Sequence, residues 1–170
     1  MKDKKTLKKH YFMLIGILLL VTVICVAFYN LYNEIGSNKI SKSVLLTDSN
    51  EILIDDLNSA TIDIESDTFL LISYTNDAKT YKMEKNVKKY LTKLDLLNNL
   101  LYLDCTKYLD DDSLITNINS KLNLTDKQIE KLPAVVLYKN GEVTSVIDSK
   151  NHDLDSTDFE YLVEAYEIAE

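Results

Sequence analysis

The sequence predicts an α/β domain, a mixed sheet flanked by helices, preceded by a single N-terminal transmembrane helix. Three observations predict it. Residues 11–29 form an uncharged apolar run behind a lysine cluster. Strand-length apolar runs at 69–74 and 100–104 flank an apolar stripe of helical spacing. The only proline, Pro133, opens a pattern of apolar strand, Asn140-Gly141 and returning strand.

The N-terminal segment comes first. Lys2, Lys4, Lys5, Lys8 and Lys9 make residues 1–10 a lysine-rich leader. Residues 11–32 read as a transmembrane signal anchor, since about 20 apolar residues cross a bilayer core as a helix. The run is apolar all round, which argues against a core helix with one buried face. Lysines lie only on its N-terminal side, so the leader is expected in the cytoplasm. Tyr11, Phe12, Tyr29 and Tyr32 stand at the two ends, where aromatic belts sit. A cleaved signal peptide would want a shorter apolar core and small residues before the cut, for which Cys25-Val26-Ala27 is a weak match. A lipoprotein signal would want a small residue where Ile24 stands. Residues 33–48, polar from Asn33 to Ser43 and containing Gly36, read as a linker, and 49–170 as an extracytoplasmic domain. The expected location is the cell membrane, single-pass, with the C-terminal domain outside.

Composition narrows the function. The formal charge is −8 even with the basic leader, so the outer domain is more acidic still. Nucleic acid is disfavoured as a partner, because phosphate contacts need a basic face. Every basic side chain is lysine; with no arginine the usual bidentate phosphate clamp is absent. Heavy use of Lys, Asn, Ile and Asp points to an AT-rich bacterial genome. Cys25 falls in the membrane run and Cys105 in the outer domain, so the two cannot staple the domain.

Along the outer domain, Ser49 is a candidate N-cap for a short helix carrying Ile52, Leu53, Ile54 and Leu57. Residues 61–65 alternate like a half-buried strand. Residues 69–74, apolar but for Ser73, read as a strand covered on both faces. Asn76 and Asp77 cap a helix whose Met83, Val87, Tyr90, Leu91 and Leu94 make one stripe. Strand 100–104 then completes a right-handed parallel βαβ unit. Asp110, Asp111, Asp112 and Ser113 open a second helix with Leu114, Ile115, Ile118 and Leu122, and acidic charge suits its N-terminus. Residues 124–131 are a short helix or loop leading to Pro133. Proline bars helix at Leu132, and Asn140-Gly141 supplies the positive φ angles of a two-residue hairpin over 134–147. Thr157 and Glu160 suggest a capping box for a last helix with Phe159, Leu162, Val163 and Tyr166 on one face. The expected order is β-α-β-α-β-β-α, with an extra helix and strand in front.

That order, with Leu132-Pro133 ahead of the third core strand, resembles the thioredoxin family over about residue 49 to the end. It is most similar to membrane-tethered thioredoxin-like proteins of Gram-positive bacteria, including those labelled bacteriocin transport accessory proteins. The resemblance implies a cis bond at Pro133 and an active site at the start of the helix after the first core strand. There the family carries Cys-x-x-Cys, whose thiol is activated by the helix N-terminus. In this sequence Ala78-Lys79-Thr80-Tyr81 stand at those positions, which excludes dithiol exchange there. Thr80 offers a hydroxyl, but His10 and His152 are the only histidines and neither is near in sequence.

What the resemblance leaves is a surface. The family's residue before the cis-proline offers its backbone to an extended peptide by strand addition. The candidate rim is therefore Asn76, Asp77, Ala78, Lys79, Thr80, Tyr81, Leu132 and Pro133, with Tyr74 and Tyr81 as aromatic walls. The expected function is a membrane-anchored, redox-inactive binding or assembly module for an extended peptide or an exported protein. The alternative is a one-cysteine thiol oxidoreductase using Cys105 with a partner protein. No metal or cofactor is called for: His152 with Asp148, Asp153 and Asp155 reads as a solvated loop, and Asp110 to Asp112 lack the spacing and glycine of a calcium loop. Lys79, Lys82, Lys85, Lys88, Lys89 and Lys93 crowd one helix against the single Glu84, either as a solvated face or as a docking surface for something anionic.

Overall fold

In a computed structural model, residues 3–47, 50–62, 64 and 66–168 are described. The chain divides into two units, Met1–Lys39 and Ile40–Glu170. The first is helix α1 (Asp3–Ile40) up to its last residue. Within it Phe12–Tyr29 has a mean hydropathy of 2.8 and is long and apolar enough to cross a membrane, as an anchor or a signal sequence would be. The expected linker differs from the structure on both sides. The helix runs through 33–40, and residues 43–46 already belong to the second unit, where Leu45 is fully buried.

The second unit is a five-stranded mixed sheet in the order β1-β3-β2-β4-β5. Strand β1 (Glu51–Ile52) is followed by α2 (Leu57–Ile62), β2 (Thr68–Ser73), α3 (Ala78–Lys93) and β3 (Leu100–Asp104). Helix α4 (Leu114–Lys121), the hairpin β4 (Ala134–Lys139) and β5 (Glu142–Asp148), and α5 (Ser156–Ala165) complete it. Strands β1, β3 and β2 are parallel, and β4 runs antiparallel to β2.

Strand β2 is buried along its whole length because both its faces are covered. Its side chains alternate, as a period of two requires. Phe69 and Leu71 pack with Met83, Val87 and Leu91 of α3 and with Phe159 and Leu162 of α5. Leu70 and Ile72 pack with Leu57 of α2 and with Leu114 and Ile118 of α4. The α3 stripe is as its spacing predicts, with Met83, Val87 and Leu91 buried and Tyr90 and Leu94 partly so.

Two elements differ from the sequence reading at the front of the domain. Ile52 belongs to a strand paired with Leu103, and the helix follows it. The expected strand at 61–65 begins as the end of α2, where Thr61 is buried and donates to the Leu57 carbonyl at 3.0 Å. Asp63, Glu65 and the proposed cap Ser49 lie outside the described residues. Ile62 and Ile64, two apart, fit a strand, but Leu57 and Thr61, four apart, match the face that α2 buries.

The last helix is also capped two residues earlier than expected. Asp155 and Asp158 form the capping box, not Thr157 and Glu160. Residues 124–131 are irregular, pinned by Asn119, which accepts from the Ile129 amide at 2.9 Å and donates to its carbonyl at 2.8 Å. At the hairpin, Asn140 and Gly141 have φ of 53° and 81°, the positive pair of a two-residue turn. A β-carbon at Gly141 would stand 3.2 Å from the Ile64 carbonyl oxygen.

Candidate functional site

The α3 N-terminus and the Leu132-Pro133 segment line one cleft of about 250 Å³ at an end of the sheet. Helix α3 starts there because Asp77 caps it. Its carboxylate accepts from the Thr80 amide at 2.7 Å and from the Thr80 hydroxyl at 2.9 Å. The Thr80 amide is the largest influence holding the Asp77 carboxyl below its ordinary range, against an opposing contribution from partial burial. Asn76, at φ 65°, turns the chain out of β2.

The facing wall is the peptide bond between Leu132 and Pro133, which is cis. It is held by the residues that end β5. The Asp148 carboxylate accepts from the amides of Glu130 at 2.7 Å and Lys131 at 3.2 Å. Ser149 donates to the Pro133 carbonyl from both its amide (3.1 Å) and its hydroxyl (2.8 Å), and the same hydroxyl accepts from the Leu154 amide. Among the described residues the amide and carbonyl of Leu132 itself have no hydrogen-bond partner. The segment is thus fixed on both sides of a residue whose own backbone is left unpaired.

Of the candidate rim residues, Asp77, Lys79, Thr80, Leu132 and Pro133 line this cleft, whereas Asn76, Ala78 and Tyr81 do not. Tyr74 is a wall; Tyr81 is not. Sequence reasoning missed Met83, Lys131, Ser149, Asp153 and Leu154, which line it too. Lys131 carried a local signal, being two residues before the proline. Ser149 and Asp153 carried none, because only the hairpin's return brings them there. Lys79 and Asp153 pair at 3.3 Å with both side chains largely exposed, a contact worth little in water.

Thr80 has no histidine beside it in sequence but does have a carboxylate, that of Asp77. That carboxylate is occupied as a helix cap and its lowered pKa makes it a weak base. His152 pairs with Asp158 at 2.7 Å.

Cys105 stands on the opposite face of the sheet, with Leu103, Leu114 and Ile118 in its cluster. It is fully buried, and its thiol is pushed up to about 12 by burial and then by the Asp104 carboxylate. At neutral pH it is a protonated, inaccessible thiol.

A buried carboxylate lies on the other side of α3. Glu84 is 1% exposed and accepts from Tyr102 Oη at 2.7 Å, Ser73 Oγ at 3.1 Å, Ser43 Oγ at 2.7 Å and the Val44 amide at 3.3 Å. The only acidic residue of α3 therefore offsets none of its surface lysines.

No family model and no curated protein matches this sequence. Solved structures similar to it include thioredoxin f2 from Chlamydomonas reinhardtii, 10% identical, covering 71% of this chain and 97% of that one with a TM-score of 0.48. Thioredoxin O2 from Arabidopsis thaliana in the oxidized state is 13% identical over 70% of this chain and 96% of that one, with a TM-score of 0.45. Mitochondrial thioredoxin 3 from Saccharomyces cerevisiae (oxidized form) is 14% identical over 68% and 93%, with a TM-score of 0.46. The topology described above, with three parallel strands, an antiparallel hairpin and helices on both faces, is itself thioredoxin-like.

Proposed function

We propose that this protein is a membrane-anchored, redox-inactive thioredoxin-like module that holds an extended peptide or an exported protein outside the cytoplasmic membrane. The observation that carries this reading is the unpaired backbone of Leu132 beside a cleft, in a segment otherwise held by Asp148 and Ser149. An unpaired amide and carbonyl on a fixed backbone suit strand addition, where main-chain bonds give affinity and side-chain pockets give selectivity. Tyr74, Met83, Leu154 and Pro133 supply apolar wall, while Lys79, Lys131, Asp77 and Asp153 frame it with both signs of charge. Binding is the chemistry that remains once no thiol stands at the helix start. The apolar Phe12–Tyr29 segment supports anchoring, and the lysine leader supports a cytoplasmic N-terminus.

The test is site-specific photocrosslinking from position 131 of the full-length chain in membranes. The expected result is capture of an extracytoplasmic polypeptide, weakened severalfold by Pro133→Ala. Equal capture from position 98, exposed at the opposite end of the sheet where β3 begins beside Phe69, or no loss in the Pro133 variant, would overturn this surface.

A further inference from the structure

The solvent face of α3 carries Lys82, Lys85, Lys89 and Lys93, all exposed, at spacings of three, four and four. They project away from the buried Met83, Val87 and Leu91. This arrangement opposes the stability of the helix. Like charges three and four residues apart repel, and the one acidic residue within α3, Glu84, is buried on the other face. Among the described residues, Lys79 is the only lysine of α3 within ion-pair distance of a carboxylate. On the neighbouring α5, Glu160 and Glu164 act on Tyr90, at the flank of the stripe. A basic strip thus persists on a chain whose formal charge is −8.

The same helix is where the folded unit begins. The Ile40 carbonyl accepts from the Asn76 amide at 2.8 Å, just before the α3 cap. Ser43 and Val44 then bond Glu84, and Lys88 donates to the Val44 carbonyl at 2.7 Å, so residues 40–44 run along α3. Ten residues separate Tyr29, the end of the apolar run, from Ile40, and the connection spans at most about 40 Å fully extended.

We infer that the lysine face of α3 is a docking surface for anionic phospholipid headgroups of the membrane that carries the anchor. The inference rests on the anchored reading above. Each lysine near such a surface adds attraction that decays within the Debye length, about 8 Å at physiological salt. A short connection makes that docking intramolecular, at high effective concentration. Docked this way, α3 sets which side of the domain faces the lipid.

The experiment is lysine acetylation footprinting of the full chain in nanodiscs of phosphatidylcholine, with or without phosphatidylglycerol. Lys107, exposed and outside α3, is the internal reference. Acetylation of Lys82, Lys85, Lys89 and Lys93 is expected to slow severalfold on anionic discs only, and to recover in high salt. Equal rates on both discs, or equal slowing on both, would overturn the inference. Slowing by a soluble polyanion that matches the anionic discs would overturn it in favour of a polymer partner. Retention of the chain in the discs under alkaline wash is scored separately; loss there sinks the anchor, and this inference with it.

Discussion

The Tyr102 hydroxyl donates to the buried Glu84 carboxylate at 2.7 Å, joining β3 to α3 inside the core. Burial, and then the adjacent carboxylate, push the Tyr102 phenol far above its ordinary range, so it stays a donor. Ser73 and the 43–44 strap complete the set, which ties two strands, a helix and the start of the folded unit to one side chain. Glu84→Ala strands several buried donors at once. It is expected to cost about 3 kcal/mol or more, against about 1 kcal/mol for Tyr102→Phe, read from denaturant midpoints.

Ser149 holds the cleft wall through the Pro133 carbonyl and is itself buried. Ser149→Ala removes one hydroxyl donor to that carbonyl and the acceptor for the Leu154 amide. The expected loss is about 1–2 kcal/mol of stability together with weaker peptide capture. Normal capture at reduced stability would separate the wall's rigidity from its binding.

The buried thiol makes an alkaline prediction. The Cys105 pKa is raised from 9.0 to about 12, so its contribution is fully present below pH 9 and is lost as pH rises toward 12. Stability should fall across that window by up to about 1.4 kcal/mol per pH unit. Tyr138, raised to about 12, adds to the slope only above its ordinary value of 10.0. Cys105→Ala should therefore flatten the fall between pH 9 and 10 in thermal melts. Alkylation of the native thiol should be undetectable until denaturant is added.

Asp77 makes the opposite prediction in acid. Its folded pKa is lowered, so the stability it contributes is present above its ordinary value of 3.8 and disappears as pH falls through the folded value. Asp77→Ala is expected to cost about 1 kcal/mol at neutral pH and nothing below the folded pKa. Stability curves of the two chains should converge at low pH.

Much of this protein is written locally. The unbroken apolar run of β2, the Met83, Val87 and Leu91 stripe, the Asp77 cap, the Asn140-Gly141 turn and the position of Pro133 all follow from side-chain periodicity and backbone restriction, which act over a few residues. The front of the domain does not, because β1 is only two residues long and exists by pairing with Leu103 across the sheet. The sequence suggests Thr157 as the α5 cap, but Asp155 two residues earlier takes that place, because either side chain can accept from a helix N-terminus. Tertiary structure alone decided that Ser149 and Asp148 fix the proline segment, that Glu84 turns inward, and that Asp153 meets Lys79. Those pairs lie 16 to 74 residues apart, or are decided by burial, and no periodicity reaches across such separations.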